Sequence, residues 1–145
     1  MSAALAQGIL VVNSSGNAGT QGLVYPGAGL GSTFPVNSGL FSVGSVTMGL
    51  KKSSFTQYAK NLSLTAPGEL VLTSYPDARL VKASGTSFAA PAVSRALALA
   101  LSTGATSASV AATVKSTATA NQDSTFNAQL GAGTVNVGAL ANWYR

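Results

Sequence analysis

An α/β fold, in which a mostly parallel sheet packs on a buried helix, is predicted by three features of this 145-residue sequence. Short apolar runs such as Ile9-Leu10-Val11-Val12 alternate with helical stretches, the order of elements that builds parallel sheets. The stretch Thr86 to Leu101 is apolar on nearly every side, the mark of a helix inside a core. Apolar residues make up 46% of the chain and charged residues only 8%, against roughly 25% charged in an average globular chain. Such a composition argues against disorder, and the length fits one domain.

Taken in order, Met1 to Gln7 reads as the last turns of a helix, with Gly8 as a left-handed stop. Ile9 to Val12 has the pattern of a strand buried on both faces. Asn13 to Ser32 is polar and glycine-rich, a loop with a turn signal at Tyr25-Pro26-Gly27. Leu40 to Val46 is a second strand, followed by the polar stretch Thr47 to Thr56. Leu62 to Thr65 is a third, ended by Ala66-Pro67-Gly68. Leu70 to Thr73 is a fourth, with Leu80 to Lys82 able to pair beside it. The helix over Thr86 to Leu101 has Ser87 or Thr86 for an N-cap and Pro91 close enough to its first turn to be tolerated. Ser107 to Ser116 is a more amphipathic helix. Gly131 to Val137 is a glycine turn into a short strand, followed by Gly138 to Trp143.

Charge and composition remove several function classes. The net charge is +5, from eight basic and three acidic residues. The basic residues are scattered, only Lys51-Lys52 are adjacent, and no aromatic residues interleave with them as a nucleic-acid platform requires. A nucleic-acid partner is therefore not expected. Cysteine is absent, so neither disulfides nor thiolate metal sites are available. Met1 to Val12 lacks the basic start of a signal peptide. The apolar stretch Phe88 to Leu101 is shorter than the roughly twenty residues of a membrane span, so no membrane partner is expected. Asn13-Ser14-Ser15 and Asn61-Leu62-Ser63 match the glycosylation pattern, which is too short to carry weight alone. Gly27-Ala28-Gly29-Leu30-Gly31 has the wrong spacing for a dinucleotide site, and neither a Walker loop nor a Gly-x-Ser-x-Gly elbow is present. Glu69, Asp77 and Asp123 are too scattered for a carboxylate pair or a metal cage.

Ser84-Gly85-Thr86-Ser87-Phe88-Ala89-Ala90-Pro91 is the chemically specific segment. A serine hydroxyl is a weak nucleophile that needs a base and a prepared environment. At the start of a helix, Ser87 has backbone N–H groups and the positive end of the helix dipole beside it. Gly85 lets the backbone approach a substrate. The plain alternative is a Ser/Thr cap on a core helix, which most such serines are.

This octapeptide resembles the serine motif of the subtilisin-like peptidases, Gly-Thr-Ser-x-Ala-x-Pro. Further segments are similar to that family in the same order. Ile9 to Asn17 resembles the strand that ends at the oxyanion asparagine. Phe34-Pro35-Val36 through Val46 resembles the strand after the substrate loop. Ser53-Ser54-Phe55-Thr56, Leu64 to Gly68, and Gly131 to Val137 resemble later blocks. The resemblance implies a partial subtilisin-like fold, in which the chain is a single incomplete domain, the carboxyl-terminal portion of a serine endopeptidase domain. It implies Ser87 as nucleophile, Asn17 as oxyanion donor, Ser14, Ser15 and Gly16 along the pocket for the residue before the cut bond, and Gly85 and Thr86 as support. It implies a peptide or protein substrate, no cofactor, no metal in this portion, and a secreted or cell-envelope location.

The departures are equally specific. The chain contains no histidine, and the family's catalytic aspartate and histidine precede the segment matched here. The partner implied is an amino-terminal portion that carries both. Ala92, Ser94 and Arg95 replace the histidine, alanine and glycine usual after the motif proline, and an arginine in a buried helix is costly unless paired or solvated. Lys82 and Glu69 are the nearest candidates for another base, but a serine–lysine dyad requires a desolvated lysine. Two readings follow: a peptidase portion that becomes active when completed, or a remnant or interaction module that keeps the fold without catalysis.

Overall fold

The computed structural model of the chain describes residues 1–25, 28–32, 34, 38–126 and 128–145. The expected turn at Pro26-Gly27 and the Pro35-Val36 part of the family-like block from Phe34 to Val46 lie outside the described residues. Three strands, β1 (Val11–Ser14), β2 (Leu40–Val46) and β3 (Leu64–Pro67), form an all-parallel sheet in the order β1-β2-β3. Val12 is opposite Phe41, and Val43 is opposite Leu64. Two further strands, β4 (Val71–Tyr75) and β5 (Arg79–Ala83), make a separate antiparallel hairpin. The helices are α1 (Ser2–Ala6), α2 (Thr86–Leu101), α3 (Ser107–Ser116) and α4 (Val137–Trp143). The partial α/β fold with a parallel sheet is thus as expected. No helix is long and apolar enough to cross a membrane, among the described residues.

The core lies between the sheet and α2. Phe41, Val43, Leu64 and Ala66 of the sheet meet Ala89, Val93, Ala96, Leu97 and Ala100 of α2, and α3 and α4 close the other side with Val110, Val114 and Leu140. Alanines along α2 let the helix backbone lie close to the strands. β2 is buried along its whole length, because it is the central strand. Its serines are satisfied locally: Ser42 Oγ donates to the Asn61 carbonyl at 3.2 Å, and the Ser45 and Ser53 hydroxyls are 2.8 Å apart. Burying those hydroxyls unpaired would cost about 1–3 kcal/mol each. Gly44 sits in a tight place, where a Cβ would lie 3.0 Å from Thr56 Cγ2 and 3.1 Å from Leu62 Cδ2.

Several expectations need correction. The strand read at Ile9–Val12 begins two residues later, is half-buried throughout, and leaves Ile9 52% exposed. It is an edge strand: β2 pairs with one side, and nothing among the described residues pairs with the other. The third strand is displaced from Leu62–Thr65 to Leu64–Pro67 and includes the proline that was expected to end it. Pro67 is the last strand residue, where a missing N–H is tolerated. Gly131 to Val137 supplies two isolated bridges, both through Thr134, to Thr65 and to Thr119, rather than a strand. Residues 28–32 form a 3₁₀ turn within the expected loop.

α2 has the expected limits, yet it is not buried all round. Thr86, Ala89, Val93, Ala96, Leu97 and Ala100 form one buried stripe, while Pro91, Ser94, Arg95, Ala98 and Leu99 are exposed. The cost assigned to a buried Arg95 does not arise, because its side chain stands on the exposed stripe. Beside that stripe, Ile9, Leu10 and Val12 face Leu97, Ala98 and Leu101 across an open apolar groove. An uncovered groove next to an unpaired strand edge favours association. The isolated chain is expected to self-associate with rising concentration and to bind a hydrophobic dye, read by sedimentation and fluorescence. A dye-silent monomer with a sharp melt would contradict this. Arg95→Ala is expected to change stability by less than about 0.5 kcal/mol, as an exposed substitution, and Arg95→Gly to lower it by about 1 kcal/mol through helix propensity, both read by urea unfolding.

Candidate active site

The site is built where β1 ends and α2 begins. Ser87 is exposed at the second helical position, directly after the buried pair Gly85-Thr86. The expected side-chain cap from Ser87 or Thr86 is not what starts the helix: Gly85 is the N-cap residue and no side chain of its own caps it. The cap comes from across the fold. The Thr86 N–H and the Thr86 hydroxyl both donate to Asn17 Oδ1, each at 2.9 Å. The Thr86 oxygen in turn accepts the Gly16 N–H at 3.2 Å. Thr86 is fully buried, so these bonds are shielded from competing water.

Two donors remain. With its oxygen taken by Thr86, Asn17 turns its Nδ2 away from that pair, and this exposed amide has no acceptor among the described residues. The Ser87 backbone N–H is also unclaimed among the described residues, because the first turn of a helix has no intrahelical acceptors for its N–H groups. Gly85 is extended (φ 161°, ψ 158°), so its backbone does not require glycine. A Cβ there would sit 3.5 Å from Asn17 Nδ2, and its absence keeps the approach to that amide open. Gly68 supports the same corner. Its carbonyl accepts the Gly85 N–H at 2.9 Å, and a Cβ on it would come within 2.8 Å of the Gly85 carbonyl.

The other expected site residues fall on the same loop. Ser14 is half-buried at the end of β1, while Ser15 and Gly16 are buried. Ser15 is wholly enclosed, and its hydroxyl has no partner among the described residues. Gly16 takes φ +112°, and a Cβ there would fall on Gln57 Oε1. Ser87 Oγ has no side-chain partner among the described residues. Lys82 is exposed on β5, which fails the desolvation needed for a lysine base. Asp77 makes only an exposed 3.9 Å contact with Arg79, and Asp123 lies near Lys52.

Sequence reasoning passed over Gln57 and Lys52. The Gln57 N–H donates to the Gly16 carbonyl at 3.0 Å, its Oε1 accepts the Ala18 N–H at 3.3 Å, and its Nε2 donates to the Gly22 carbonyl at 2.9 Å. Lys52 Nζ donates to the carbonyls of Ser53, Ser54 and Thr56 at 3.1–3.4 Å and lies over the rings of Tyr58 and Phe126. Burial pushes the Lys52 ammonium below its ordinary pKa, and the Asp123 carboxylate opposes that shift. Neither residue belongs to a recognisable motif, so only the fold could reveal them.

Thr86→Val keeps the volume but leaves the Gly16 N–H without an acceptor and removes one donor to Asn17. It is expected to lower stability by about 1–3 kcal/mol, with Thr86→Ser close to the parent, both measured by urea unfolding.

Comparison with known proteins places this geometry. The profile of the subtilase family matches residues 1–133. The major intracellular serine protease of Bacillus subtilis is 40% identical over 101 residues, covering 66% of this chain and 29% of that protein. Subtilisin BL of Lederbergia lenta is 33% identical over 99 residues, covering 68% and 34%. Thermitase of Thermoactinomyces vulgaris is 31% identical over 112 residues, covering 77% and 37%. The chain therefore spans about a third of the length of these relatives. Among solved structures, a protease from Pseudoalteromonas arctica superposes with a TM-score of 0.83 at 23% identity, over 99% of this chain and 45% of that one. The prenylagaramide maturation protease superposes with a TM-score of 0.84 at 23% identity, over 99% and 53%. These two similarities speak to the fold.

Proposed function

The chain belongs to the subtilase family, and on that premise we propose that it is the carboxyl-terminal portion of a serine endopeptidase domain. One observation carries the reading. Among the described residues, Asn17 spends its oxygen on Thr86 and keeps its Nδ2 without an acceptor, next to an exposed Ser87 whose own N–H is also unclaimed. An oxyanion site needs that combination, two fixed donors aimed where charge develops next to a nucleophile.

In the completed domain Ser87 Oγ attacks the peptide carbonyl carbon. Its proton passes to a histidine from the amino-terminal portion, which an aspartate orients. Asn17 Nδ2 and the Ser87 N–H hold the tetrahedral oxyanion. The carbon–nitrogen bond then breaks, the histidine returns the proton to the leaving amine, and water releases the acyl group by the reverse sequence. Each donor is worth about 2.7–4 kcal/mol, a value that comes from this same family rather than from the present geometry.

The absent portion is proposed to cover the free edge of β1 and the exposed stripe of α2. The apolar groove between them is the surface a continued sheet and core would bury, and Arg95 would meet whatever lies there. Peptide or protein is the proposed substrate. A secreted or cell-envelope location is proposed from the resemblance alone, since one relative is named as intracellular.

Alone, the chain is expected to hydrolyse peptides no faster than its Ser87→Ala variant, because oxyanion donors do not remove the serine proton. Mixed with an amino-terminal portion carrying the aspartate and histidine, it is expected to cleave a peptide reporter and react with a fluorophosphonate. Ser87→Ala should abolish both, and Asn17→Ala should slow cleavage by about 10²–10³. Ser87-dependent cleavage by the lone chain would contradict the reading. An assembled but inert complex would favour the remnant that keeps the fold without catalysis.

A further inference from the structure

We propose that Gln57 is the positioning residue for the Asn17 amide, holding both peptide groups that flank it. Asn17 lies between the peptide whose carbonyl belongs to Gly16 and the peptide whose N–H belongs to Ala18. The backbone N–H of Gln57 holds the first at 3.0 Å, and its side-chain Oε1 holds the second at 3.3 Å. Since the orientations of these two peptide groups set φ and ψ of Asn17, one residue fixes the direction in which its side chain leaves the backbone. Gln57 Nε2 then ties down Gly22 at 2.9 Å, closing the loop that carries Asn17. The space for the Gln57 amide exists because position 16 has no Cβ.

Lys52 reinforces the clamp. Its ammonium donates to the Thr56 carbonyl at 3.3 Å, which belongs to the same peptide group as the Gln57 N–H. A cation on the carbonyl side polarises that peptide and strengthens its N–H as a donor to Gly16. Two anchors therefore act on Asn17: Thr86 grips the side-chain oxygen, and Gln57 grips the backbone. Each alone leaves the amide a rotation; together they set where Nδ2 points. The inference rests on the reading of Asn17 as an oxyanion donor.

The Thr86 N–H reports the arrangement directly, because its acceptor is Asn17 Oδ1. Residue-resolved hydrogen exchange on the 145-residue chain would compare the parent with Gln57→Met, which keeps length but loses both side-chain bonds. A second variant, Gln57→Glu, keeps the acceptor for Ala18 and loses the donor to Gly22. Exchange at Thr86 is expected to speed up about five- to tenfold in Gln57→Met, the effect of weakening one hydrogen bond, and less in Gln57→Glu. Core amides such as Val93 and Ala96 should keep the parent rates. Unchanged Thr86 exchange in both variants, or a uniform rise at all amides, would overturn the proposal. In the assembled enzyme Gln57→Met should lower kcat about tenfold with KM altered less than about twofold, since the oxyanion forms only in the transition state. An unchanged kcat would also overturn it. If the parent assembly is inert, the functional reading fails while exchange at Thr86 still decides whether Gln57 positions Asn17.

Discussion

The bond between Thr86 and Asn17 Oδ1 is the constraint on which the rest of this structure turns. It joins the end of an edge strand to the start of the central helix and satisfies the first helical N–H with a side chain 69 positions away. It also decides which end of the Asn17 amide is oxygen, since the Thr86 backbone N–H can only donate to it. One contact thus caps a helix, docks it on the sheet, and leaves the Asn17 nitrogen without an acceptor among the described residues. Under the proposed function, structural and chemical roles coincide at Asn17, so a variant there is expected to show loss of a cap as well as loss of a donor.

The sheet and helix around this contact are finished on one side only. β2 is enclosed, while β1 is half-buried and α2 presents a bare stripe. Apolar surface of this kind is costly in water, and the solved neighbours superpose the whole of this chain on about half of theirs. The corner around Ser87, by contrast, is held together among the described residues by contacts of Thr86, Gly85, Asn17, Gly16 and Gly68.

Legibility in the sequence followed the range of the forces involved. β2, α2 and α3 could be read to their limits, because local apolar patterning dominates there. β1 and β3 were shifted by two residues, since strand limits depend on partners that periodicity does not name. The full burial expected for α2 failed because exposed Ala98 and Leu99 look like core residues in a sequence. At the site, the octapeptide pointed to Ser87, and family resemblance pointed to Asn17. The cap was misplaced because capping rules look within a few residues of the helix, and here the oxygen comes from another element. Gln57 left no signal: one glutamine between Thr56 and Tyr58 acquires meaning only when two loops meet.

The separation between Asn17 and Thr86 has a kinetic consequence. Contacts that close long loops form late, because chain entropy must be surrendered before they return any energy. The parallel pairing of β1 with β2 carries the same delay. During folding, the Ser87 hydroxyl exists from the start, while the Asn17 amide is locked only when this long-range contact closes. An incompletely folded chain therefore carries the Ser87 hydroxyl without a fixed amide donor at the helix start, so the order of this corner arrives with topology and not before.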